Sequence, residues 1–318
     1  MNLTTKEIKE IVANVLKKDR IAISRFLTLI EDHHPDSFKI LNALYSKTGS
    51  IFKIGITGFP GSGKSTLINR LAKAFLEKKK RVAVILVDPT SPVTGGALLG
   101  DRIRMKDIQM DPNVYIRSMA SRGGRGGLAQ TSRYAVDALD AAGFEVVLIE
   151  TVGVGQLEID IAQSAHLTLV VLTPESGDEV QAMKAGLMEV SNFFVVNKID
   201  RDKDRLWLRR LKSAIEIASS DEGHAKPEIF PVSALYNEGL KDLFEALWEA
   251  FKKFRPGSTQ GSNGIDQEVL SALEELFLSE VIHQSDFIKK IEAHRGDLLK
   301  RKKSPYEVAR NILRSFLK

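Results

Sequence analysis

Hydrophobic positions change period twice along the chain, and the changes divide it into three regions. Through residues 1–49 the apolar side chains recur at helical spacing. Ile8, Ile11, Val12, Val15 and Leu16 make one stripe, and Ile23, Phe26, Leu27 and Ile30 make another. His33-His34-Pro35-Asp36 breaks the pattern, and helix is expected again from Phe38 to Leu44. From Phe52 onward the period shifts to short apolar runs of strand length: Phe52–Thr57, Arg81–Val87, Val114–Arg117, Glu145–Ile149, Leu167–Thr173, Phe193–Val196 and Glu228–Val232. Helical patterns fill the gaps at Thr66–Glu77, Leu128–Ala142, Asp178–Val190, Asp204–Ser220 and Gly239–Phe254. Strands apolar throughout and alternating with helices predict an α/β fold, a mostly parallel sheet covered by helices on both faces.

The second change comes at Pro256. Residues 256–264 read Pro-Gly-Ser-Thr-Gln-Gly-Ser-Asn-Gly, a linker by composition. Beyond it Asp266–Lys302 and Pro305–Leu317 are expected to be helical, with Leu270, Leu273, Leu276, Phe277, Val281, Phe287, Ile288 and Ile291 as their apolar stripe. The expected organisation is an N-terminal helical region (1–49), an α/β domain (50–256), and a linker with a helical arm (257–318).

Composition narrows the chemistry. The 318 residues include no cysteine, so disulfides, thiolate metal sites and cysteine nucleophiles are excluded. The 46 Lys and Arg against 41 Asp and Glu leave a net charge of +5, a weak excess that gives no argument for a nucleic-acid partner. Apolar runs fall short of the roughly 18 residues of a transmembrane helix, and Met1–Leu16 lacks the continuous apolar segment of a secretory signal. The expectation is a cytoplasmic protein without a membrane partner.

Gly58-Phe59-Pro60-Gly61-Ser62-Gly63-Lys64-Ser65-Thr66 fits G-x-x-x-x-G-K-[ST] between an expected strand and an expected helix. In that context the glycines let backbone N–H groups curl around phosphates. The helix N-terminus adds its positive dipole end, Lys64 reaches the β- and γ-phosphates, and Ser65 offers an oxygen to Mg²⁺. The bland alternative, an ordinary glycine-rich turn, does not require Lys64 and Ser65. The expectation is therefore a P-loop that binds the phosphates of a nucleotide.

The base is addressed elsewhere. Asn197-Lys198-Ile199-Asp200 directly follows the Phe193–Val196 strand. A carboxylate such as Asp200 accepts from N1–H and the 2-amino group of guanine, donors that adenine lacks. Lys198 can lie along the base, Asn197 can tie this loop to the P-loop, and Ser233-Ala234-Leu235 can offer a backbone N–H to O6. N-K-x-D alone is often a polar turn; together with the other two motifs it points to GTP and GDP.

Glu150-Thr151-Val152-Gly153 ends another strand. Glu150 is placed to hold Mg²⁺, directly or through water, and the Gly153 N–H to touch the γ-phosphate. Asp88 and Asp101 lie in a segment with glycines at 95, 96 and 100, which suggests a loop ordered by phosphate and metal. Ser65, Asp88, Asp101 and Glu150 are the expected metal set, and Lys64, Asp101 and Glu150 the expected catalytic residues. Ser121-Arg122-Gly123-Gly124-Arg125-Gly126-Gly127 reads better as a glycine-rich loop than as an RNA-binding segment.

Gly58–Thr66, Val87–Pro92, Gly95–Met105, Glu150–Gln156 and Asn197–Asp200 together resemble the MeaB/MMAA (ArgK-type) GTPases. Glu150, where Asp is usual, is a mark of the wider group of metal- and cofactor-insertion GTPases. The resemblance covers almost the whole chain. It implies a homodimeric GTPase, joined through the helical arm, that acts as a chaperone for an adenosylcobalamin-dependent acyl-CoA mutase, commonly methylmalonyl-CoA mutase. Leu157 departs from the family's usual Gln-Ser-Glu. A metallochaperone GTPase is the alternative, but the absence of cysteines and of a histidine cluster beyond His33-His34 weighs against it. A small-molecule kinase would have no need of Asn197–Asp200.

Overall fold

Among the described residues seven strands form one sheet, paired in parallel throughout: β1 (Phe52–Gly58), β2 (Val82–Asp88), β3 (Val114–Ala120), β4 (Val146–Glu150), β5 (Leu167–Leu172), β6 (Phe193–Val196) and β7 (Glu228–Pro231), in the spatial order β3-β2-β4-β1-β5-β6-β7. The computed structural model describes residues 2–88, 105–120, 127–151, 165–174, 191–202, 205–220, 227–256, 269–270, 272–273, 285–300 and 302–316. The helices are α1 (Thr5–Leu16), α2 (Arg20–Glu31), α3 (Ser37–Leu44), α4 (Lys64–Glu77), α5 (Lys106–Gln109), α6 (Gly127–Ala141), α7 (Leu206–Ser220), α8 (Leu240–Lys253), α9 (Ser285–Leu299) and α10 (Pro305–Phe316). The doubly covered parallel sheet expected from the sequence is the fold.

Residue parity assigns each strand side chain to a face. Val82, Val84 and Leu86 of β2, Val146 and Leu148 of β4, and Leu169 and Val171 of β5 pack with Leu67, Ile68, Leu71 and Phe75 of α4 and with Leu243 and Leu247 of α8. On the opposite face Ala83, Ile85, Val87, Val147 and Ile149 meet α6 and the N-terminal helices. Val170, Leu172, Phe194 and Val196 meet Leu208, Leu211 and Ile215 of α7. Strands filled on both sides cannot show an alternating pattern, which is why they read as continuous apolar runs.

The helices of the first 49 residues share this core. Ile23, Phe26, Leu27, Ile40 and Leu44 are fully buried in the cluster that includes Val147 and Ile149. Two polar joints fix them. Arg117 of β3 donates to the Thr28 hydroxyl at 3.1 Å and pairs with Glu31. Asp140 of α6 accepts from the N–H groups of Gly49 at 2.6 Å and Ser50 at 2.9 Å, just ahead of β1. Burial raises the Asp140 carboxyl above the ordinary aspartate value, against the lowering effect of those backbone bonds.

Two compact units divide at Thr259 and Gln260. In the second, α9 and α10 pack together, and the 269–270 and 272–273 positions are helical. Other differences from the sequence reading are local. β3 runs on to Ala120 because its ladder with β2 extends to the Asp88–Ala120 pair. The short α5 was not expected, and the expected helix Asp178–Val190 lies outside the described residues.

At the amino ends of the central strands, His166 stacks on Phe52 with ring centroids 5.6 Å apart and lies 4.4 Å from the Phe254 ring. Its Nδ1 accepts from the Lys53 N–H at 2.9 Å, so the imidazole is held in an acceptor form. Burial first, and the Lys53 charge second, depress its pKa from 6.5 to about 4. A depressed folded-state value means that stability is complete above the unfolded pKa near 6.5 and declines as pH falls from there towards 4. The expected outcome is a melting temperature that drops more steeply between pH 6.5 and pH 4.5 in wild type than in His166→Gln. Parallel curves would contradict the neutral, buried assignment.

Candidate nucleotide-binding site

β1 ends at Gly58, whose φ of +140° is open to glycine; a Cβ there would lie 2.2 Å from the Val171 carbonyl oxygen. The chain then turns through Phe59 to Gly63, with the Ser62 N–H donating to the Phe59 carbonyl at 3.1 Å, and enters α4 at Lys64. Gly63 caps α4 with φ +88° and contributes no capping side chain. Gly63 thus offers no side-chain cap to the first N–H groups of α4, which with the positive end of the helix dipole can form an anion cradle. Lys64, 6% exposed, folds back across the turn and donates to the carbonyls of Gly58 at 2.6 Å and Phe59 at 3.1 Å. Pro60 and Gly61 are exposed at the tip, and Thr66 is half-buried in the first turn of α4.

At the end of β4, Glu150 is 8% exposed and its Oε1 accepts from the Ser65 hydroxyl at 3.1 Å. The fold thus brings together two members of the expected metal set, both oxygen donors. Asp88 closes β2, two strands from β1, and only its backbone is described; Asp101 and Gly153 lie outside the described residues. Among the described residues no group of three or more His, Asp or Glu side chains gathers as a metal site.

Asn197 connects this cradle to the turn that follows β7. It follows β6 and is 2% exposed. Its Nδ2 donates to the Ser62 carbonyl at 2.7 Å, and its Oδ1 accepts from the Ala234 N–H at 3.0 Å. One amide joins the phosphate turn to the Ser233-Ala234-Leu235 turn across 135 and 37 positions of sequence. Lys198 then adopts the left-handed conformation, φ +57°, and a single turn of 3-10 helix carries Asp200 to the surface. Asp202, two residues on, is largely buried and instead accepts from the Leu208 N–H at 3.1 Å in the first turn of α7. The two aspartates are therefore separated in role: Asp202 caps a helix, and Asp200 remains accessible to a ligand.

In the facing turn the Ser233 N–H donates to the Glu238 carbonyl at 3.0 Å and the Ala234 N–H to Asn197. Sequence reasoning missed Arg70 of α4, whose Nε and Nη2 donate to the carbonyls of Ala234 at 3.0 Å and Leu235 at 3.1 Å. Within the helical pattern Arg70 is indistinguishable from a solvated arginine, because its partners lie 164 and 165 positions away.

The glycines of the turn differ in what they permit. A Cβ on Gly63 would lie 2.3 Å from Asn197 Nδ2, whereas one on Gly61, at φ +78°, meets nothing within 4 Å. Gly61→Ala is expected to cost about 1–2 kcal/mol of backbone strain and leave the Asn197 bridge in place. Gly63→Ala adds displacement of Asn197 and is expected to weaken GDP binding at least tenfold more than Gly61→Ala does. Equal losses in a fluorescent-nucleotide titration would contradict this contact.

The comparisons with known proteins agree with this geometry. The family model described as "Methylmalonyl Co-A mutase-associated GTPase MeaB" matches residues 23–289. The chain is 43% identical over 244 residues to a Pyrococcus abyssi protein whose name marks it as a GTPase, covering 76% of this chain and 75% of that one. It is 34% identical over 247 residues to the GTPase ArgK of Escherichia coli, again covering 76% and 75%. The crystal structure of an LAO/AO transport system kinase superposes with a TM-score of 0.66 at 24% identity over the full length of both chains, a likeness of fold. With a parallel sheet, a glycine-rich turn into α4 and this family match, the chain belongs to the MeaB family of P-loop GTPases.

Proposed function

We propose that this GTPase binds GTP with Mg²⁺, hydrolyses it to GDP and phosphate, and uses the two nucleotide states to act as a chaperone for an adenosylcobalamin-dependent acyl-CoA mutase, methylmalonyl-CoA mutase in particular. The observation that carries the nucleotide reading is the buried Asn197 amide, which holds the phosphate turn and the base turn at a fixed separation. A single phosphate would need no such tie. A ligand with phosphates at one end and a base at the other does.

The residues present fit the metal. The Ser65 hydroxyl and the Glu150 carboxylate are adjacent hard oxygens, the donor type Mg²⁺ selects. Ser65 would hold the ion directly, with Glu150, Asp88 and Asp101 completing its surroundings directly or through water. Bound Mg²⁺ would neutralise charge on the β- and γ-phosphates. Lys64 stabilises the same phosphates as a point charge, moving off the Gly58 and Phe59 carbonyls to do so. The hydroxyls of Ser62 and Thr151, buried without hydrogen-bond partners among the described residues, lie in the segments that follow β1 and β4 and suit a polar ligand. Asp200 reads guanine through N1–H and the 2-amino group, Lys198 lies along the base, and Gly153 senses the γ-phosphate.

The mutase role rests on family membership, whose description names that association. The arm, residues 257–318, would join two copies in a homodimer of the cytoplasm. Among the described residues no helix is long and apolar enough to cross a membrane.

Asp200→Asn is expected to lose GTP selectivity and gain xanthosine-nucleotide binding, since a site built around a hydrogen-bonded polar group discriminates by about 10⁴-fold. Wild-type protein that binds ATP within about tenfold of GTP contradicts the guanine assignment. For the partner, calorimetry of the GTP-analogue and GDP states against purified methylmalonyl-CoA mutase should show affinities differing by about 5- to 150-fold. Equal affinities would remove the switch.

A further inference from the structure

Arg70 lies six residues beyond Lys64 on the same helix and belongs to none of the motifs above. Its planar guanidinium donates to two successive carbonyls, those of Ala234 and Leu235, from Nε and Nη2. Two donors in one rigid fork fix both the position and the orientation of the peptide they hold. Ala234 is consequently clamped at both ends: its N–H by Asn197 at 3.0 Å and its C=O by Arg70 at 3.0 Å.

Val232 and Ala234 are buried in the core they share with α4, and beyond them the turn runs out to solvent. Leu235 and Tyr236 are 66% and 62% exposed, so their side chains add little packing. Asn237 and Gly239 sit at φ +63° and +67°, and the Ser233–Glu238 bridge closes the turn upon itself without tying it to α4. The Arg70 bonds add a directional tie at the point where the turn leaves the core, from the helix whose amino end forms the phosphate cradle.

We propose that Arg70 is a positioning residue for base recognition, hanging the guanine-facing turn on the phosphate-binding helix. The proposal rests on the GTP reading of the site given above. Arg70 touches neither phosphate nor base. It sets the distance between the α4 cradle and the N–H groups of the turn, so its removal affects the part of the affinity that depends on the base. The phosphate turn keeps its own contacts, Lys64 on Gly58 and Phe59 and Asn197 on Ser62. The nearby Asp107 keeps its partner Lys73 at 2.9 Å, so the substitution strands no carboxylate. The Leu235 carbonyl lies in an exposed stretch, where water replaces the lost donor.

The test compares wild type, Arg70→Ala and Arg70→Lys for binding of GDP, ADP and inorganic triphosphate by calorimetry, alongside steady-state GTP hydrolysis. Arg70→Ala is expected to raise the Kd for GDP and the KM for GTP about tenfold, the scale of one net hydrogen bond, because the lost contacts act on the ligand only through the turn. The preference for GDP over ADP should fall by the same factor. The kcat and the Kd for inorganic triphosphate should stay within about twofold of wild type, and Arg70→Lys should recover part of the GDP affinity. Unchanged GDP affinity in Arg70→Ala overturns the proposal. So does an equal loss of triphosphate binding, or a fall in kcat at constant KM. Wild-type protein with no preference for GDP over ADP overturns the GTP reading itself, a result visible before any variant is made.

Discussion

Asn197 spends both ends of its side-chain amide inside the protein, and the geometry of the nucleotide site follows from that. Ser62 offers a carbonyl and Ala234 an N–H, so the amide can satisfy both in one orientation only, nitrogen towards the phosphate turn and oxygen towards the base turn. At 2% exposure, water cannot substitute at either end. Losing the amide would leave a buried donor and a buried acceptor unpaired, at about 1–3 kcal/mol each. The same requirement explains Gly63, since any side chain there would enter the space the amide occupies.

The sheet supplies the frame in which that bridge is possible. β1 sits at its centre between β4 and β5, with β6 one strand further, so the phosphate turn, Glu150 and the segment after β6 emerge within four consecutive strands at one edge. Parallel pairing puts all carboxyl ends on that edge, the usual position of ligands in open α/β sheets. Covering helices on both faces hold the strands in register. α4 does double duty: its inner face carries Leu67, Ile68, Leu71 and Phe75 into the core, while Lys64 and Ser65 open the phosphate cradle. A ligand held at α4 and at the base turn therefore reports on the packing of the sheet as well as on its own contacts.

The central strands were legible because they are apolar on both faces, and β6 was placed to the residue. The three motifs stand out in the sequence because the chemistry proposed for them requires fixed residue types at short spacing: Gly63-Lys64-Ser65, Asn197 with Asp200, and Ser233-Ala234-Leu235. What the sequence concealed is long-range. Arg70 meets Ala234 across 164 positions, and Arg117 meets Glu31 across 86. His166 reads as an unremarkable polar residue until Phe52 and Phe254 close around it. That the N-terminal helices share a core with the sheet was equally hidden, because an amphipathic stripe announces burial without naming the surface that buries it.

The central claim is that one side chain couples phosphate binding to base recognition. Asn197→Ala tests it most directly, with calorimetric titration of GDP and inorganic triphosphate and a thermal melt to show that the variant is folded. The account predicts that both ligands bind more weakly, GDP by well over tenfold, and that the preference for GDP over ADP shrinks as well. A folded Asn197→Ala protein that loses base preference yet binds inorganic triphosphate as wild type does, or that binds GDP with wild-type affinity, would contradict it.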